Sequence, residues 1–458
     1  MNVLVIGTGY VGLPHSAILA ERGHKVWAYD IDEDRINDYK SGLKENIERH
    51  VNEPELAETI EAHIHKTLFF TTDISSIINN VDVIFMCVNT PPLKGGDTDL
   101  SFYRDAAANI ANLLSQTQRT QRVLIVNKST VPIGTARLLQ SILAKYDVPN
   151  VGVASNPEFL AQGKAIEGSR RPDRIVVGAD TEDDFAILQN LYGVYVNHVR
   201  IRYIETTPET AEAIKYVGNT LLLTYVSFWN GVGAKLAETF DNIDMEDLRL
   251  GVTSDERISK WGAYVSNGAG GSCLGKDIRS LIYQLKQTNN DTNLLQAVYH
   301  INEHQKKYLV ERAIYEADFK FGNKVVSVLG LTYKKQTNDM RDSASLIAID
   351  ALLACGVSSI QAYDPLANDI AESYWFSHQK NPLYSKIKYF DSAEEAIFGT
   401  DVIFISTDWE EFRSLSSVIK KVAPPPMLII DGRRMIQDYK KLIEDGYSYL
   451  PVGGKFKA

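Results

Sequence analysis

The chain has 458 residues, 44% of them hydrophobic, and a formal net charge of −10 at pH 7. This length predicts two or three domains with sizeable cores, and the acidic balance argues against nucleic acid or an anionic membrane as the main partner. The three cysteines, Cys87, Cys273 and Cys355, lie far apart; they do not suggest a disulfide framework and favour a reducing, cytoplasmic setting. We expect neither a signal peptide nor a membrane span, because the N-terminus lacks a basic segment and no apolar run reaches about 18 residues.

Residues 1–204 alternate short apolar segments with helical patterns. The first apolar segment is rich in Val and Ile, and the helical pattern after it continues to about Arg22, just before Gly23. Strands separated by helices in this way predict a doubly wound α/β sheet, so we assign residues 1–204 to a first domain. Its strands are predicted at 2–7, 25–30, 81–88, 122–129, 151–159 and 174–179.

A helical region is predicted at residues 205–318. Thr207 can cap a helix, Pro208 can take its first position, and the helical pattern then continues for about 30 residues. Further helical patterns extend to about Asp318. By analogy with other folds, a long helix between two α/β domains serves as a spine and often as a dimer surface, so we predict a central helical dimerisation domain.

Residues 319–458 return to α/β alternation and are similar to the start of the chain. VDVIFMCVNT (81–90) is similar to TDVIFISTDW (400–409), and VWAYDID (26–32) is similar to IQAYDPL (360–366). Two matches in the same order predict one type of domain used twice, although buried strands also converge on Val, Ile and Phe without a shared architecture. The predicted fold class is α/β, with two Rossmann-like doubly wound domains joined by a long central helix. Strands of the second such domain are predicted at 324–331, 358–365, 400–407 and 427–432.

A glycine-rich turn, GTGYVG, follows the first strand and opens the first helix. Gly7 permits the tight turn, Gly9 lets backbone approach a pyrophosphate, and Gly12 lets helix and strand pack closely. Asp30 ends the second strand, where a carboxylate binds a ribose diol and repels a 2′-phosphate. The pattern therefore predicts NAD rather than NADP, despite Arg35 nearby; the alternative is that the glycines serve only a turn.

The second α/β domain has no glycine triplet after its first strand. Lys334, Lys335 and Arg341 follow that strand instead, which favours an anionic ligand bound by side chains, such as a nucleotide-sugar diphosphate. The alternative is a charged loop that only faces solvent.

The segment GAGGSCLGKD (268–277) surrounds Cys273 with glycines, so its backbone is shaped for close approach rather than for packing. Lys276 and Asp277 follow, and a nearby ammonium favours the nucleophilic thiolate. We therefore interpret Cys273 as a reactive thiol, with a small core side chain as the alternative, and we interpret Cys87 and Cys355 as core residues.

Lys215 and Asn219 lie four residues apart on the predicted central helix and so share a face. A lysine and an amide among apolar residues can stabilise a developing oxyanion with two donors. The alternative is a lysine that extends to the surface and an asparagine that caps a neighbouring element.

Two predicted strand ends carry further polar side chains. Glu158 follows one strand, and Ser129 and Thr130 follow another, at the edge of the sheet where ligands of α/β folds bind. A carboxylate and a hydroxyl at such an edge can position a water molecule.

Taken together, these segments resemble one family, the nucleotide-sugar 6-dehydrogenases, which oxidise a sugar C6 alcohol to a carboxylate with two NAD⁺. The similar segments follow the family order over about residues 1–365 and include DGRRM near the end of the chain. They are GTGYVGL, VNTPP, KSTVPIGT, NPEFLAQGKAIEGSRRPDRIVVG, AEAIKYVGNT, GGSCLGKD and LTYKKQTNDMRDS.

The resemblance implies a catalytic role for several residues. Cys273 would attack the intermediate aldehyde, so that a second hydride leaves from a thiohemiacetal and water hydrolyses the resulting thioester. Glu158 would activate that water, and Thr130 would help to hold it. The residues implied to manage protons and the oxyanion are Lys215, Asn219 and Asp277.

The resemblance also implies binding roles, with no metal site among them. Arg257 would reach the sugar site of a neighbouring subunit, so a homodimer is expected. Residues implied to bind the cofactor are Gly7, Gly9, Tyr10, Val11, Gly12, Asp30, Arg35, Thr90, Thr130, Lys276 and Arg341. Residues implied to bind the nucleotide sugar are Glu158, Phe159, Leu160, Lys215, Asn219, Arg257, Gly270, Lys334 and Arg433.

One position departs from the family pattern, because Gly275 stands where many bacterial members have proline; we expect it to loosen the loop without removing activity. The GGSC segment fits family branches that act on UDP-glucose or GDP-mannose and lacks the CIPVDP-like version of the N-acetylhexosamine branch. We favour UDP-glucose. A non-enzymatic alternative is a sensor that binds NAD and a nucleotide sugar without turnover.

Overall fold

The computed structural model describes residues 1–117, 119–376 and 381–458, including all their side chains except those of residues 374 and 375. Contacts divide the chain into two compact units. The first comprises Met1–Gly218 and Tyr283–Thr288, and the second comprises Asn219–Ile282 and Asn289–Ala458. The division into three domains at about residues 204 and 318 stays a prediction.

The first unit is built on an eight-stranded sheet with strand order β3-β2-β1-β4-β5-β6-β7-β8. β6 and β7 pair antiparallel and the other neighbours pair parallel. The strands are β1 (Asn2–Ile6), β2 (Lys25–Tyr29), β3 (Leu68–Thr71), β4 (Val83–Met86), β5 (Val123–Asn127), β6 (Val151–Ser155), β7 (Arg174–Ala179) and β8 (Arg202–Thr206).

Helices cover both faces of this sheet. Alternate residues of the central strands therefore pack in two separate apolar clusters, one on each face. Val3 and Val5 of β1 pack in one cluster, and Leu4 and Ile6 pack in the other. The helices are α1 (Gly12–Glu21), α2 (Glu33–Ser41), α3 (Lys44–His50), α4 (Leu56–His63), α5 (Ser101–Ser115), α6 (Thr135–Lys145), α7 (Ala165–Arg170), α8 (Glu182–Leu191) and α9 (Gly193–Val196).

The long central helix begins where the sequence predicts. Helix α10 (Pro208–Phe228) has proline at its first position and Glu209 in its first turn, both favourable at a helix N-terminus. A π-helical turn, Trp229–Gly233, joins it to α11 (Ala234–Thr239), so the helical path matches the predicted length of about 30 residues. The later helices before the second sheet are α12 (Met245–Val252), α13 (Leu274–Gln287) and α14 (Asn293–Tyr315).

The second unit contains a six-stranded parallel sheet with order β11-β10-β9-β12-β13-β14. Its strands are β9 (Val325–Leu329), β10 (Ser359–Tyr363), β11 (Ile387–Tyr389), β12 (Val402–Ile405), β13 (Leu428–Asp431) and β14 (Ser448–Pro451). Its helices are α15 (Ala344–Ala354), α16 (Asn368–Ile370), α17 (Ala393–Ile397), α18 (Leu415–Val422) and α19 (Tyr439–Glu444).

The predicted repetition of one domain type is confirmed. The first six strands of the first sheet have the same spatial order, β3-β2-β1-β4-β5-β6, as the six of the second sheet. The two strand-end aspartates also act alike: Asp30 accepts a hydrogen bond from the backbone N–H of Thr8, and Asp364 accepts one from Thr332. Convergence of isolated strands would not reproduce this arrangement.

Several elements differ from the expectations. β3, β8, β11 and β14 were not predicted; β11 has only three residues, and β8 carries Arg202 and Glu205. The strand expected at 151–159 ends at Ser155, which leaves Glu158 in the following loop. In the described part of the chain, no helix is long and apolar enough to cross a membrane.

Candidate active site

The glycine-rich turn of the first unit has the geometry that a dinucleotide-binding turn requires. Gly7 has φ of 94°, and a Cβ there would lie 2.5 Å from the carbonyl oxygen of Cys87. A Cβ at Gly12 would overlap the carbonyl oxygen of Gly7, so helix and turn pack too closely for any side chain. A Cβ at Gly9 meets no atom within 4 Å, which leaves the backbone at the start of α1 accessible to a phosphate. These residues fit a bound dinucleotide.

Asp30 is held rigidly beside this turn. Its Oδ2 atom accepts hydrogen bonds from the N–H of Thr8 at 2.8 Å and from the Thr8 hydroxyl at 2.9 Å, and an Arg35 guanidinium nitrogen lies 3.1 Å away. Burial alone would raise the pKa of Asp30, but these hydrogen bonds and the Arg35 charge lower it below its ordinary value. The carboxylate therefore stays charged at the position predicted to face a ribose.

Replacing Asp30 by alanine should reduce the preference for NAD⁺ over NADP⁺ by about tenfold or more, because the repulsion of a 2′-phosphate disappears while Arg35 remains. The measurement is the ratio of kcat/KM values with the two cofactors. Asp34→Ala removes an exposed carboxylate from the first turn of α2, four residues later, and is the matched control. An unchanged ratio in Asp30→Ala would reject the assignment.

Tyr10, Val11 and Thr90 also lie around this end of the sheet. Tyr10 and Val11 are partly buried against the apolar cluster that contains Val3 and Val5. The Thr90 hydroxyl donates to the carbonyl oxygen of Thr130 at 2.9 Å, which connects the loops after β4 and β5.

Lys215 and Glu158 form a buried ion pair within the first unit. Lys215 Nζ lies 3.0 Å from Glu158 Oε2, and their side chains are only 5% and 7% exposed. The same oxygen accepts the backbone N–H of Leu160 at 2.9 Å. The alternative of a lysine extending to the surface is therefore wrong, because this ammonium is turned inward to a carboxylate that sequence analysis had placed separately.

The Phe159 ring lies close to two cations. The guanidinium carbon of Arg174 lies 4.0 Å from the ring centre, and Lys215 Nζ lies 5.5 Å from it. Leu160 is partly exposed beside it. The predicted segment after β6 thus presents Glu158 and Phe159 to one lysine.

Sequence analysis missed Glu212, a buried residue on the same helix as Lys215. Its carboxylate accepts backbone N–H groups of Gly134 and Ala136 and the hydroxyl of Ser155, at 2.7 to 3.0 Å. Burial raises the pKa of Glu212 although these hydrogen bonds oppose the shift. The sequence signal that could have identified Glu212 is its position three residues before Lys215, which places both side chains on one face of the helix. One small cavity is lined by Asn127, Ser129, Thr130, Val131, Ser155, Pro157, Glu212 and Lys215.

In the second unit, Cys273 directly precedes helix α13 and its carbonyl oxygen accepts the N–H of Asp277 at 2.8 Å. The thiol is partly exposed and lies 3.6 Å from the Ser272 hydroxyl. A thiol at a helix N-terminus is near the positive end of the helix dipole, which favours the thiolate.

Asp277 is fully buried and contacts two other predicted site residues, Asn219 and Lys276. Asn219 Nδ2 donates to Asp277 Oδ2 at 2.6 Å, and Lys276 Nζ lies 2.7 Å from Asp277 Oδ1. Asn219 lies one helical turn after Lys215 on α10. Lys215 thus meets a carboxylate within the first unit, and Asn219 meets one within the second.

The glycines around Cys273 are required by close packing against a later segment of the second unit. A Cβ at Gly271, which has φ of 90°, would lie 2.9 Å from the Tyr333 ring. Gly275 lies within the first turn of α13, and a Cβ there would lie 2.9 Å from Asp342 Oδ2. The absence of a side chain at Gly275 makes room for the Asp342 carboxylate, and the expectation that this glycine loosens the loop stays a prediction.

Tyr333 also organises the basic residues predicted to bind an anion. Arg433 donates to the carbonyl oxygens of Ser406 at 2.8 Å and Tyr333 at 3.3 Å. Lys334 Nζ lies 5.6 Å from the Tyr333 ring centre, and a Cβ on Gly270 would lie 3.0 Å from Tyr333 Cβ. Sequence analysis did not identify Tyr333 itself as a member of this cluster.

The remaining predicted residues have local partners. Arg341 pairs with Asp339 at 2.7 Å, and its carbonyl oxygen accepts the N–H of Gly271. Arg257 is 88% exposed in its side chain and pairs with Asp255 at 2.6 Å.

All three cysteines are free thiols. Cys87 is buried in the first unit, and burial raises the pKa of its thiol to about 12, as expected of a core residue. Cys355 is half-buried and packs against the apolar cluster of the second unit.

Comparison with known proteins assigns each part of the chain. Models of the UDP-glucose/GDP-mannose dehydrogenase family match as NAD binding domain at residues 1–196, central domain at 209–304 and UDP binding domain at 327–438. UDP-glucose 6-dehydrogenase TuaD of Bacillus subtilis is 35% identical over 99% of this chain and 93% of its own length. UDP-glucose 6-dehydrogenase of Pseudomonas aeruginosa is 32% identical, with 99% and 97% covered. A UDP-glucose dehydrogenase structure from Pyrobaculum islandicum has a TM-score of 0.87 and 28% identity, with 99% and 98% covered.

Proposed function

The chain belongs to the UDP-glucose/GDP-mannose dehydrogenase family of NAD-dependent nucleotide-sugar dehydrogenases, and we propose that it oxidises the C6 alcohol of UDP-glucose to the carboxylate of UDP-glucuronate. The choice of UDP-glucose rests on relatives of that name at 32–35% identity over 99% of the chain. The observation that carries the four-electron mechanism is the partly exposed Cys273 thiol at the start of α13, beside Ser272 and one turn from buried Asp277.

The second oxidation needs a nucleophile. Only after a nucleophile adds to the aldehyde carbon does that carbon carry a hydroxyl and a hydrogen, as an alcohol does, so that a hydride can leave. When bound, NAD⁺ supplies the acceptor for a hydride, and two are required per sugar. The first oxidation gives the C6 aldehyde and one proton. The Cys273 thiolate then bonds to the aldehyde carbon, and the oxygen takes a proton to give a thiohemiacetal.

Loss of a hydride and a proton converts this adduct to a thioester. Water then attacks the carbonyl carbon, the C–S bond breaks, and carboxylate, thiolate and two protons are produced. The overall reaction consumes one water and two NAD⁺ and yields two NADH and three protons. Throughout, the covalent bond keeps the reactive aldehyde from leaving.

The buried carboxylates have distinct roles in this proposal. Glu158 orients and activates the hydrolytic water, and the Lys215 ammonium, 3.0 Å from it, stabilises negative charge on the sugar oxygen. Asn219 and Asp277, joined at 2.6 Å, supply a donor and a proton acceptor one turn beyond Lys215. Thr130 holds the water.

Binding in the proposal follows the two α/β domains. The turn at Gly7, Gly9 and Gly12 holds the NAD pyrophosphate and Asp30 its ribose. Further cofactor contacts are assigned to Tyr10, Val11, Arg35, Thr90, Lys276 and Arg341. The nucleotide sugar is assigned to Phe159, Leu160, Gly270, Arg257, Lys334 and Arg433.

The test is to count NADH formed per sugar nucleotide with the purified protein. Two NADH per UDP-glucose, with slower turnover of GDP-mannose, is the expected result. Two NADH per GDP-mannose and none from UDP-glucose would transfer the same chemistry to the other nucleotide. No NADH from either would favour a sensor that binds without turnover and would reject the proposal.

We further propose a homodimer, in the cytoplasm, where free thiols persist. Within the second unit, apolar side chains with large exposed fractions support a subunit interface. They are Leu221 at 64%, Leu222 at 51%, Phe228 at 53%, Val232 at 43% and Trp261 at 86%.

Mixing two inactive variants tests both the dimer and the reach of Arg257. Refolding Cys273→Ala with Arg257→Ala should restore about a quarter of wild-type activity, because half the dimers are mixed and each has one site with both residues intact. Light scattering should give twice the chain mass of 51.2 kDa. A monomer, or no recovery from a mixed dimer, would contradict the assignment.

A further inference from the structure

Helix α14 buries three polar side chains against the loop that carries Cys273. Asn302, Gln305 and Lys306 lie at i, i+3 and i+4, on one face of the helix, and each is 2% exposed or less. Long polar side chains are rarely buried to this extent without a specific partner. Asn302 and Gln305 bond to residues 266–272, which lead directly into Cys273 and which we term the nucleophile loop. The stem of Lys306 packs against the same loop at Gly268.

Asn302 forms two hydrogen bonds with the backbone of one loop residue, Ala269. Its Oδ1 accepts the N–H of Ala269 at 2.8 Å, and its Nδ2 donates to the carbonyl oxygen of Ala269 at 2.9 Å. The carboxamide thus satisfies both backbone groups of Ala269, as a neighbouring strand would. Gln305 adds a hydrogen bond from Nε2 to the carbonyl oxygen of Ser266 at 2.8 Å.

Lys306 extends this contact to the segment that follows β9. Its Nζ lies 2.5 Å from Asp342 Oδ1 and 2.8 Å from Glu303 Oε1. Its stem packs under Gly268, where φ is 103° and a Cβ would lie 2.9 Å from Lys306 Cγ. Asp342 in turn occupies the space beside Gly275 in the first turn of α13.

The loop needs an external hold because of its composition. The loop contains three glycines, Gly268, Gly270 and Gly271. Because glycine has many accessible backbone conformations, ordering this loop costs more conformational entropy than ordering a loop of the same length without glycine. Regular secondary structure supplies few of its hydrogen bonds. Other segments hold the loop at Asn267, whose N–H donates to the carbonyl oxygen of Gly432, and at Gly271, whose N–H donates to that of Arg341. Between these two points, at Ala269, the hold comes from the side chain of Asn302 on α14.

We propose that Asn302 is a positioning residue, which fixes the nucleophile loop through Ala269 and thereby holds the Cys273 thiol at the start of α13. It acts through the loop and does not touch the reacting atoms. Its effect on turnover rests on the proposed function, whereas its effect on the thiol does not. Losing it lets the thiol leave the helix N-terminus, where the dipole favours the thiolate.

The experiment measures the pH dependence of Cys273 alkylation by iodoacetamide, followed by mass spectrometry of its peptide, together with kcat and KM. In Asn302→Leu the midpoint of the profile should rise by about one pH unit. The value of kcat should fall about tenfold while the KM for NAD⁺ changes less than about twofold. Asn302→Asp retains the size and the acceptor for Ala269 N–H, and it carries the test if the leucine variant does not fold.

Arg312→Gln is the matched control, because Arg312 is also buried on α14 but donates to the carbonyl oxygens of Pro451 and Gly454, away from the loop. It should lower thermal stability without moving the alkylation midpoint. A midpoint unchanged in both Asn302 variants, or shifted equally in Arg312→Gln, would overturn the proposal. Absence of NADH in the wild type would reject the enzymatic function and leave the alkylation result to decide the role of Asn302.

Discussion

Replacing Cys273 by alanine should lower formation of UDP-glucuronate by about a thousandfold or more. Without the thiol, the aldehyde cannot form the thiohemiacetal from which the second hydride leaves. The first oxidation and NAD⁺ binding should persist, so a single turnover should release about one NADH and free aldehyde instead of two NADH. Stopped-flow absorbance and trapping of the aldehyde measure the two quantities.

Cys273→Ser tests the same assignment with a weaker nucleophile in place of the thiol. A hydroxyl adds to the aldehyde more weakly than a thiolate, and the oxygen ester hydrolyses more slowly than a thioester, so this variant should stall after the first oxidation or accumulate an ester. Cys355→Ala removes the other partly exposed thiol and should retain wild-type kinetics. Full four-electron turnover by Cys273→Ala would refute the nucleophile assignment.

Replacing Lys215 by methionine should destabilise the first unit by about 3–5 kcal/mol, because it leaves the Glu158 charge buried without its partner. Activity should fall about a hundredfold or more as the charge near the sugar oxygen is lost. Chemical denaturation and steady-state kinetics give the two numbers.

Adding Glu158→Gln to Lys215→Met separates stability from chemistry. The double variant has no buried charge at this point and should recover much of the lost free energy of unfolding, while activity stays low. Lys421→Met breaks the exposed pair with Glu394 and should change neither quantity appreciably. Recovery of activity together with stability would show that the pair is only structural.

Local patterns in the sequence were enough to predict the fold. Gly7, Gly9 and Gly12 followed by Asp30 define a turn and strand whose conformations depend on nearby residues, and the second α/β domain repeats strand segments that can be compared directly. Strands with charged residues, such as β8 with Arg202 and Glu205, give a weak apolar signal, and tertiary pairing determines them.

The partners within the site could not be predicted in the same way. Lys215 and Glu158 lie 57 positions apart, and Asn219 and Asp277 lie 58 apart, so sequence identified the residues without showing which donor meets which carboxylate. Asn302 gave no signal, because a polar residue on a helix is usually solvated. Its burial depends on where α14 packs.

Gly275 shows what a local rule leaves out at a packed site. A glycine at the start of a helix indicates flexibility when only neighbouring residues are considered. In the fold it is the position where the Asp342 carboxylate approaches α13, and the same carboxylate binds Lys306. The local rule carried no information about a side chain 67 positions later in the chain.

The most direct test is mass spectrometry of Glu158→Gln quenched during turnover with UDP-glucose and NAD⁺. Slower hydrolysis should let a sugar-nucleotide thioester accumulate on the peptide that contains Cys273, with a matching burst of two NADH per subunit. A burst of two NADH with an unmodified Cys273 peptide would contradict covalent catalysis at this sulfur.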